Sequence, residues 1–261
     1  TKISMYFRSM NFKKISVLLP PFFKTLGFLF LYIFFGLLLD TPYAASLFEH
    51  TQYLALVALI VGFAIIYFRV GKRPREQMLY AVLLGFIGEH LFSILLGMYT
   101  YRLGNVPLYI PFGHAVVLIA VVYFCKKSIV KVHKKILEKS FTIFILAYSF
   151  AFLVFANDIF GFVMSLLVLF LLRNKPRERL FYLTMYIAVA FLEIIGTSYG
   201  CWFWPETAFD AIPFLKSANP PSGISLFYFL LDLGSLWLYK KRHKAAWSRM
   251  KNVRKIKSIN N

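Results

Sequence analysis

The sequence predicts an all-α fold, a polytopic transmembrane bundle of about eight spans built as two parallel tandem repeats of four helices. Composition, the length of the apolar runs and the placement of basic residues support this prediction. The 261 residues are 59% hydrophobic and 16% charged, whereas soluble domains are about 45–50% apolar and about 25% charged. A soluble globule of this size could not bury so much apolar surface, and a disordered chain would have the opposite composition.

Apolar runs set the number of predicted spans. A helix that crosses a hydrocarbon core of about 30 Å needs about 20 mainly apolar residues. The fifth and sixth runs are short and meet at Asn157 and Asp158, so one broken or re-entrant element is an alternative for that stretch. The eight runs cover residues 21–39, 51–69, 78–100, 107–125, 141–156, 158–173, 179–200 and 223–239.

Basic residues mark one side of the predicted bundle. The chain has 30 Lys and Arg against 11 Asp and Glu, and the outer loops hold only Arg102 and Lys216 of these 30. Cytoplasmic loops of membrane proteins carry an excess of Lys and Arg, so eight spans with both termini in the cytoplasm satisfy this bias at every loop. The net charge of +19 comes from basic blocks between apolar runs, which fits membrane topology and argues against a nucleic-acid partner. We expect an integral protein of a bacterial inner membrane.

The alternation of apolar and basic segments divides the chain into five predicted parts. Residues 1–20 form a basic cytoplasmic or interfacial segment, and residues 21–125 form the first four-helix repeat. A basic cytoplasmic linker covers 126–140, the second repeat covers 141–240, and a basic cytoplasmic tail covers 241–261. The linker and the first segment mix apolar residues with Lys and Arg, which is typical of interfacial helices, but simple solvated charge explains the pattern equally well.

An internal duplication is visible in the sequence. Lys72–Glu76 and Asn174–Glu178 each place a basic-Pro-Arg-Glu motif before an apolar run that holds one glutamate, Glu89 or Glu193. Four spans per copy give both copies the same orientation, related by an axis near the membrane normal. Coincidence is the alternative, because short apolar helices look alike. Each run ends in a Gly-x-aromatic-x-aromatic signature, formed by Gly97, Tyr99 and Tyr101 in the first copy and by Gly200, Trp202 and Trp204 in the second.

Five Asp, Glu and His residues lie away from the ends of the predicted spans, namely Glu89, His90, His114, Glu193 and Asp232. An ionisable side chain inside the bilayer is costly, so such residues indicate a functional site. We expect the two copies to bring these side chains together in the centre of the bundle. The alternative is that they form interhelical hydrogen bonds that only hold the bundle together.

The residue types of this set favour acid–base chemistry. A carboxyl group in a water-poor interior can hold a proton at neutral pH and can act as a general acid. We predict Glu89 and Glu193 as the acid–base pair, with His90, His114 and Asp232 in support. We predict no cofactor, because the spacing of these residues matches no standard metal-ligand motif, and a metal held by Glu, His and Asp is the minority alternative.

Aromatic residues flank the predicted site. Tyr99, Tyr101, Trp202 and Trp204 are predicted to line the mouth of a hydrophobic cavity and to bind the substrate. The same residue types fit an interfacial aromatic belt, and this alternative stays open. The sequence contains no Gly-rich phosphate loop, Gly-x-Ser-x-Gly elbow or HExxH, which argues against an ATP-driven pump, a serine hydrolase and a zinc protease.

A membrane glutamate at Gly88-Glu89 is followed by Gly97-Met98-Tyr99-Thr100-Tyr101 and by the proline-flanked loop Val106–Pro111. This order of motifs resembles the integral-membrane carotenoid hydratase family of the bacterioruberin type. The second copy, with Glu193 and Gly200, looks like a divergent version of the same pattern. The resemblance implies addition of water to a terminal isoprenoid double bond, a step that needs an acid to protonate the alkene.

The leading hypothesis is a membrane-embedded enzyme that acts on a long apolar lipid, such as an isoprenoid, by acid–base chemistry. A proton-coupled carrier or lipid flippase and a non-catalytic scaffold or assembly factor are the alternatives. The enzyme predicts an apolar cavity that contains the carboxyl groups, the carrier predicts a polar cavity open to one aqueous face, and the scaffold predicts no cavity. Membrane lipids are the predicted surroundings in all three cases, and the oligomeric state is open.

Overall fold

A computed structural model describes residues 23–249 and 252, and most of these residues are helical, as predicted. The predicted interfacial segment 1–20 and most of the last ten residues of the predicted tail lie outside the described residues. A π-helical turn, Phe23–Gly27, precedes α1, and a second π-helical segment, His90–Leu95, continues α4. The α-helices are α1 (Phe28–Leu38), α2 (Pro42–Leu47), α3 (Thr51–Arg69), α4 (Lys72–Glu89), α5 (Tyr109–Lys126), α6 (Ser128–Val132), α7 (Lys134–Ala156), α8 (Ile159–Leu172), α9 (Arg179–Ser198) and α10 (Ser225–Arg242).

Within the described part of the chain, a helix occupies each of the eight predicted apolar runs. Lys24–Leu38 and Ile159–Leu172 are apolar but shorter than a full span. Helix α10 is less apolar because it contains Asp232 and three basic residues in its last turn. The helical segments that are long and apolar enough to cross a membrane are Thr51–Arg69, Lys72–Leu95, Tyr109–Lys126, Lys134–Ala156 and Arg179–Ser198.

Helices α5 and α9 form the centre of the bundle. In their most apolar stretches, 50% and 67% of the residues are buried, against 11% in α7. Helix α5 packs against α3, α4 and α9, and α9 also contacts α1, α7 and α10. Large apolar side chains cover the outside of the bundle; Phe155, for example, is 89% exposed. Such an apolar surface suits contact with lipid rather than water.

Four short strands lie beyond the ends of α4 and α9, where the sequence predicts only helices and loops. Gly97 and Gly200 adopt φ values of +58° and +68°, a region that favours glycine, and they turn the chain out of the helices. The aromatic and β-branched residues that follow favour extended backbone. Strand β1 (Thr100–Tyr101) pairs antiparallel with β2 (Trp202–Phe203), and β3 (Thr207–Ala208) pairs antiparallel with β4 (Ile212–Lys216).

A buried aspartate anchors the segment between β4 and α10. Asp158 caps the N-terminus of α8 and accepts a hydrogen bond from the amide of Gly161 at 3.0 Å. Its carboxylate also accepts hydrogen bonds from the amides of Ala218 at 3.1 Å and Ser222 at 2.7 Å. The side chain of Asn219 accepts a hydrogen bond from the Trp204 amide at 3.0 Å. These contacts fix the segment beside the predicted site.

Candidate functional site

The two predicted glutamates line one cavity in the centre of the bundle. The cavity has a volume of about 100 Å³, and most of the atoms that line it are apolar. Helices α1, α3, α4, α5, α9 and α10 all contribute to its wall. Glu89 is 5% exposed and Glu193 is 3% exposed. The two carboxyl groups therefore share a water-poor interior.

Glu89 is held by three side chains. Its Oε2 atom accepts hydrogen bonds from the hydroxyl groups of Tyr99 and Tyr101, both at 2.5 Å. Its Oε1 atom lies 2.7 Å from Nε2 of His114 on α5. The two tyrosines reach back to Glu89 because the chain reverses at Gly97 after the helix ends.

This geometry locates the exchangeable proton near Glu89. A phenol carries a single proton, and the phenols of Tyr99 and Tyr101 both direct that proton to Oε2. A proton on Oε2 itself would displace one of these two donors. A proton on the carboxyl group of Glu89 would therefore sit on Oε1 and face Nε2 of His114, and both residues line the cavity.

Glu193 has a different set of donors. Its Oε2 atom accepts hydrogen bonds from the indole N–H groups of Trp202 at 2.9 Å and Trp204 at 3.0 Å. Its Oε1 atom accepts a hydrogen bond from the hydroxyl group of Tyr228 on α10 at 2.8 Å. The ring of Trp202 reaches this position because residue 196 is glycine, and a Cβ atom at Gly196 would collide with the ring.

Glu89 and Glu193 accept hydrogen bonds from equivalent residues of the two predicted copies. Each accepts hydrogen bonds from the two aromatic residues of the signature that follows it, at 10 and 12 residues after Glu89 and at 9 and 11 residues after Glu193. The third partner of Glu89 is His114 on α5, and the third partner of Glu193 is Tyr228 on α10. The rings of His114 and Tyr228 lie 4.9 Å apart, so the two sets of partners are in contact.

Strands β1 and β2 join the two signatures directly. Thr100 pairs with Phe203, and these residues occupy the same position in their signatures. Tyr101 pairs with Trp202, and the ring of Tyr99 lies 4.6 Å from the ring of Trp204. The first aromatic residue of each signature therefore contacts the second aromatic residue of the other, as a local two-fold axis requires.

Two predicted site residues lie outside this cluster. His90 is exposed, and its Nδ1 atom lies 2.8 Å from the carbonyl oxygen of Phe86. It follows Glu89 directly, and consecutive residues point about 100° apart around a helix. Asp232 is half-buried and does not line the cavity, and its Oδ2 atom has no hydrogen-bond partner among the described residues. The other predicted side chains line the cavity, namely Glu89, His114, Glu193, Tyr99, Tyr101, Trp202 and Trp204.

Sequence reasoning missed a buried ion pair beside the cavity. Asp40 is completely buried, and its Oδ1 atom accepts a hydrogen bond from Nη2 of Arg102 at 2.5 Å. Its Oδ2 atom accepts a hydrogen bond from the hydroxyl group of Tyr109, a residue that lines the cavity, at 2.7 Å. A signal exists in the sequence, because Asp40 ends the first apolar run and Arg102 is one of only two basic residues in the outer loops.

The donor sets around the glutamates leave little room for a metal ion. In residues 23–249, no group of three His, Cys, Asp or Glu side chains is arranged to hold one. Indole groups are hydrogen-bond donors only, and two of them occupy one oxygen of Glu193. The titratable side chains that line the cavity include the two carboxyl groups, the imidazole of His114 and several phenols.

No protein-family model, no curated protein and no solved structure matches the chain. The class of protein is therefore defined by its own fold and site. It is a helical protein with apolar helices long enough to cross a membrane, and two buried glutamates line its central apolar cavity.

Proposed function

We propose that the chain is an integral protein of the cytoplasmic membrane with eight spans, two parallel four-helix repeats and both termini in the cytoplasm. The equivalent donors of Glu89 and Glu193 support the repeat. Contacts between basic segments support the topology, because His243 at the end of α10 lies 2.8 Å from Glu76 in the first turns of α4. Lys134 likewise donates a hydrogen bond to the carbonyl of Pro176, which joins two other loops of the proposed cytoplasmic side.

In this proposal the protein is an enzyme that acts on a long apolar lipid with an isoprenoid end group, by hydratase-like acid–base chemistry. The observation that carries the proposal is that two buried carboxyl groups line one apolar cavity. A carrier of ions or polar solutes needs a polar path to water, whereas the atoms lining this cavity are mostly apolar. A scaffold needs no cavity at all.

The proposed reaction begins at the hydrogen bond between Glu89 and His114. A proton held between Oε1 and Nε2 is transferred to the less substituted carbon of the terminal C=C bond, forming a C–H bond and leaving positive charge on the more substituted carbon. The oxygen of a water molecule then bonds to that carbon, and one proton of this water returns to the Glu89–His114 pair. The products are a tertiary alcohol and the original enzyme, so no net proton is consumed.

The size of the cavity suits the end of a lipid rather than a whole lipid. A cavity of about 150 Å³ is known to hold benzene, so about 100 Å³ accommodates a small branched end group. Gly36 on α1 lines the cavity, and a Cβ atom at this position would meet no atom within 4 Å. The rest of the lipid molecule can leave the cavity through this space.

The test uses the purified protein in lipid nanodiscs with a terminally unsaturated isoprenoid polyene in D₂O. Wild-type protein should form the tertiary alcohol with deuterium on the less substituted carbon of the former double bond, and Glu89→Gln should lower the rate by at least about 10². Glu206→Gln changes an exposed glutamate of the outer loop and serves as the matched control. Equal rates for wild type and Glu89→Gln, or no alcohol with any variant, would overturn the proposal.

A further inference from the structure

Glu193 differs from Glu89 in having only neutral donors. Trp202, Trp204 and Tyr228 donate its three hydrogen bonds. Among the residues that the structure describes, no Lys, Arg or His side chain forms an ion pair with Glu193. Two N–H groups on Oε2 and a hydroxyl group on Oε1 suit the carboxylate form, which accepts hydrogen bonds only.

The charges in the cavity do not balance. Even when a protonated His114 balances the charge of Glu89, the carboxylate of Glu193 leaves one negative charge. A buried charge without a partner costs several kcal/mol. A positive group placed beside Glu193 would remove this cost, and the described part of the protein supplies none.

The other walls of the cavity also suit a positive group. The aromatic residues Tyr99, Tyr101, Trp202 and Trp204 all line the cavity. The faces of aromatic rings attract cations, Trp most strongly, and sets of such rings bind quaternary ammonium groups. An apolar wall with these rings and one carboxylate therefore favours a cation that is bulky and weakly hydrated.

We infer that the cavity binds a positively charged centre carried by an apolar lipid, with Glu193 and these four rings holding the charge. The inference rests on the proposed function for the apolar lipid and extends it to the charge of the bound group. Such a centre has two sources. It is either a permanent ammonium group of a lipid or the carbocation that forms when the Glu89–His114 proton adds to a C=C bond.

The test compares two probes of the same shape on the full-length protein in nanodiscs. One is a long alkyl chain that ends in trimethylammonium, and the other ends in a neutral tert-butyl group. Binding is followed by the fluorescence of Trp202 and Trp204. The ammonium probe should bind wild-type protein about tenfold more tightly than the neutral probe. Equal affinities would overturn the inference, whatever any variant does.

Variants then assign the preference to one residue. Glu193→Gln should bind both probes with the affinity that wild type shows for the neutral probe. Glu206→Gln removes an exposed negative charge on the outer loop and should keep the full preference. A preference that survives in Glu193→Gln, or that disappears in Glu206→Gln, would contradict the assignment to Glu193.

Two further measurements separate the sources and the two proposals. Deuterium on the less substituted carbon of the isoprenoid's terminal double bond identifies the transient carbocation, and a co-purified ammonium lipid without deuterium transfer identifies the permanent cation. Both results support a cation site. If an isoprenoid is hydrated but the probes bind equally, this inference fails and the proposed function stands. If the ammonium probe is preferred and no isoprenoid reacts, the proposed reaction fails and the cation site stands.

Discussion

The rings of Tyr99 and Trp204 lie 4.6 Å apart, although the two residues belong to different halves of the chain. Each donates a hydrogen bond to the glutamate of its own half, Glu89 or Glu193. This contact connects the two donor sets, as does the contact between the rings of His114 and Tyr228. Changes on one side of the cavity are therefore expected to affect the other side.

The phenols that hold Glu89 give the first prediction. Tyr99→Phe and Tyr101→Phe should each lower the free energy of unfolding by about 1.5–3 kcal/mol, because each removes a hydrogen bond to a buried charged group. The double variant should lose more than the sum, because Oε2 of Glu89 then has no donor left. Thermal and denaturant unfolding in detergent measure these differences. Tyr43→Phe, at an exposed tyrosine, is the control, and single variants as stable as this control would contradict the geometry.

The buried ion pair gives the second prediction. Arg102→Gln should lower the free energy of unfolding by about 3–5 kcal/mol, because it leaves the buried Asp40 carboxylate without its counter-charge. The double variant Asp40→Asn/Arg102→Gln should be less damaged than Arg102→Gln alone. Lys216→Gln changes the other basic residue of the outer loops, which is exposed, and should stay within about 0.5 kcal/mol of wild type. Similar losses for Arg102→Gln and Lys216→Gln would refute the importance of the pair.

Filling the cavity gives the third prediction. Gly36→Phe should fold, because the space beside Gly36 is open, but it should bind far less of an isoprenoid lipid than wild type. Gly36→Ala should keep lipid binding and gain about 0.5–1 kcal/mol of stability, since glycine within a helix is unfavourable. Gly71→Phe places the same side chain at another open position outside the cavity. Equal lipid binding by Gly36→Phe and Gly71→Phe would exclude this route.

The anchor of the outer segment gives the fourth prediction. Asp158→Asn should accelerate amide hydrogen exchange at Ala218 and Ser222, because the charge-assisted hydrogen bonds from these amides are weakened. Asp210→Asn, at an exposed aspartate between β3 and β4, should leave their exchange unchanged. Exchange that is as slow in Asp158→Asn as in wild type would show that other contacts hold the segment.

Part of this site could be predicted from the sequence because charged residues are conspicuous in an apolar chain. Glu89, Glu193 and His114 stand out for this reason, and the signature residues stand out by their repeated spacing. Tyr228 could not be selected, because it is one of 16 tyrosines and its role depends on how α10 is rotated. His90 also stands out in the sequence, but it does not line the cavity. It directly follows Glu89 and therefore points to another side of the helix.

The helices could be located more reliably than their ends. Apolar runs marked the helices, because burial in lipid requires long apolar segments. The strands at residues 100–101 and 202–203 could not be predicted from the sequence, because a strand of two residues shows no periodic pattern. In addition, each strand pairs with one that is far away in the sequence. Asp40 and Arg102 are each conspicuous in the sequence, but their pairing is harder to predict because Arg102 lies 62 residues away.

The central claim is that the end of an apolar lipid occupies the cavity between the two glutamates. A polyisoprenoid alcohol with a photoreactive diazirine at its hydrocarbon end tests this claim most directly, with the labelled residues identified by mass spectrometry after irradiation in nanodiscs. The account predicts labels on the peptides that contain Tyr99, Trp204 and Tyr228, and loss of these labels in Gly36→Phe. Labels confined to outward-facing residues such as Phe155, and unchanged in Gly36→Phe, would contradict it.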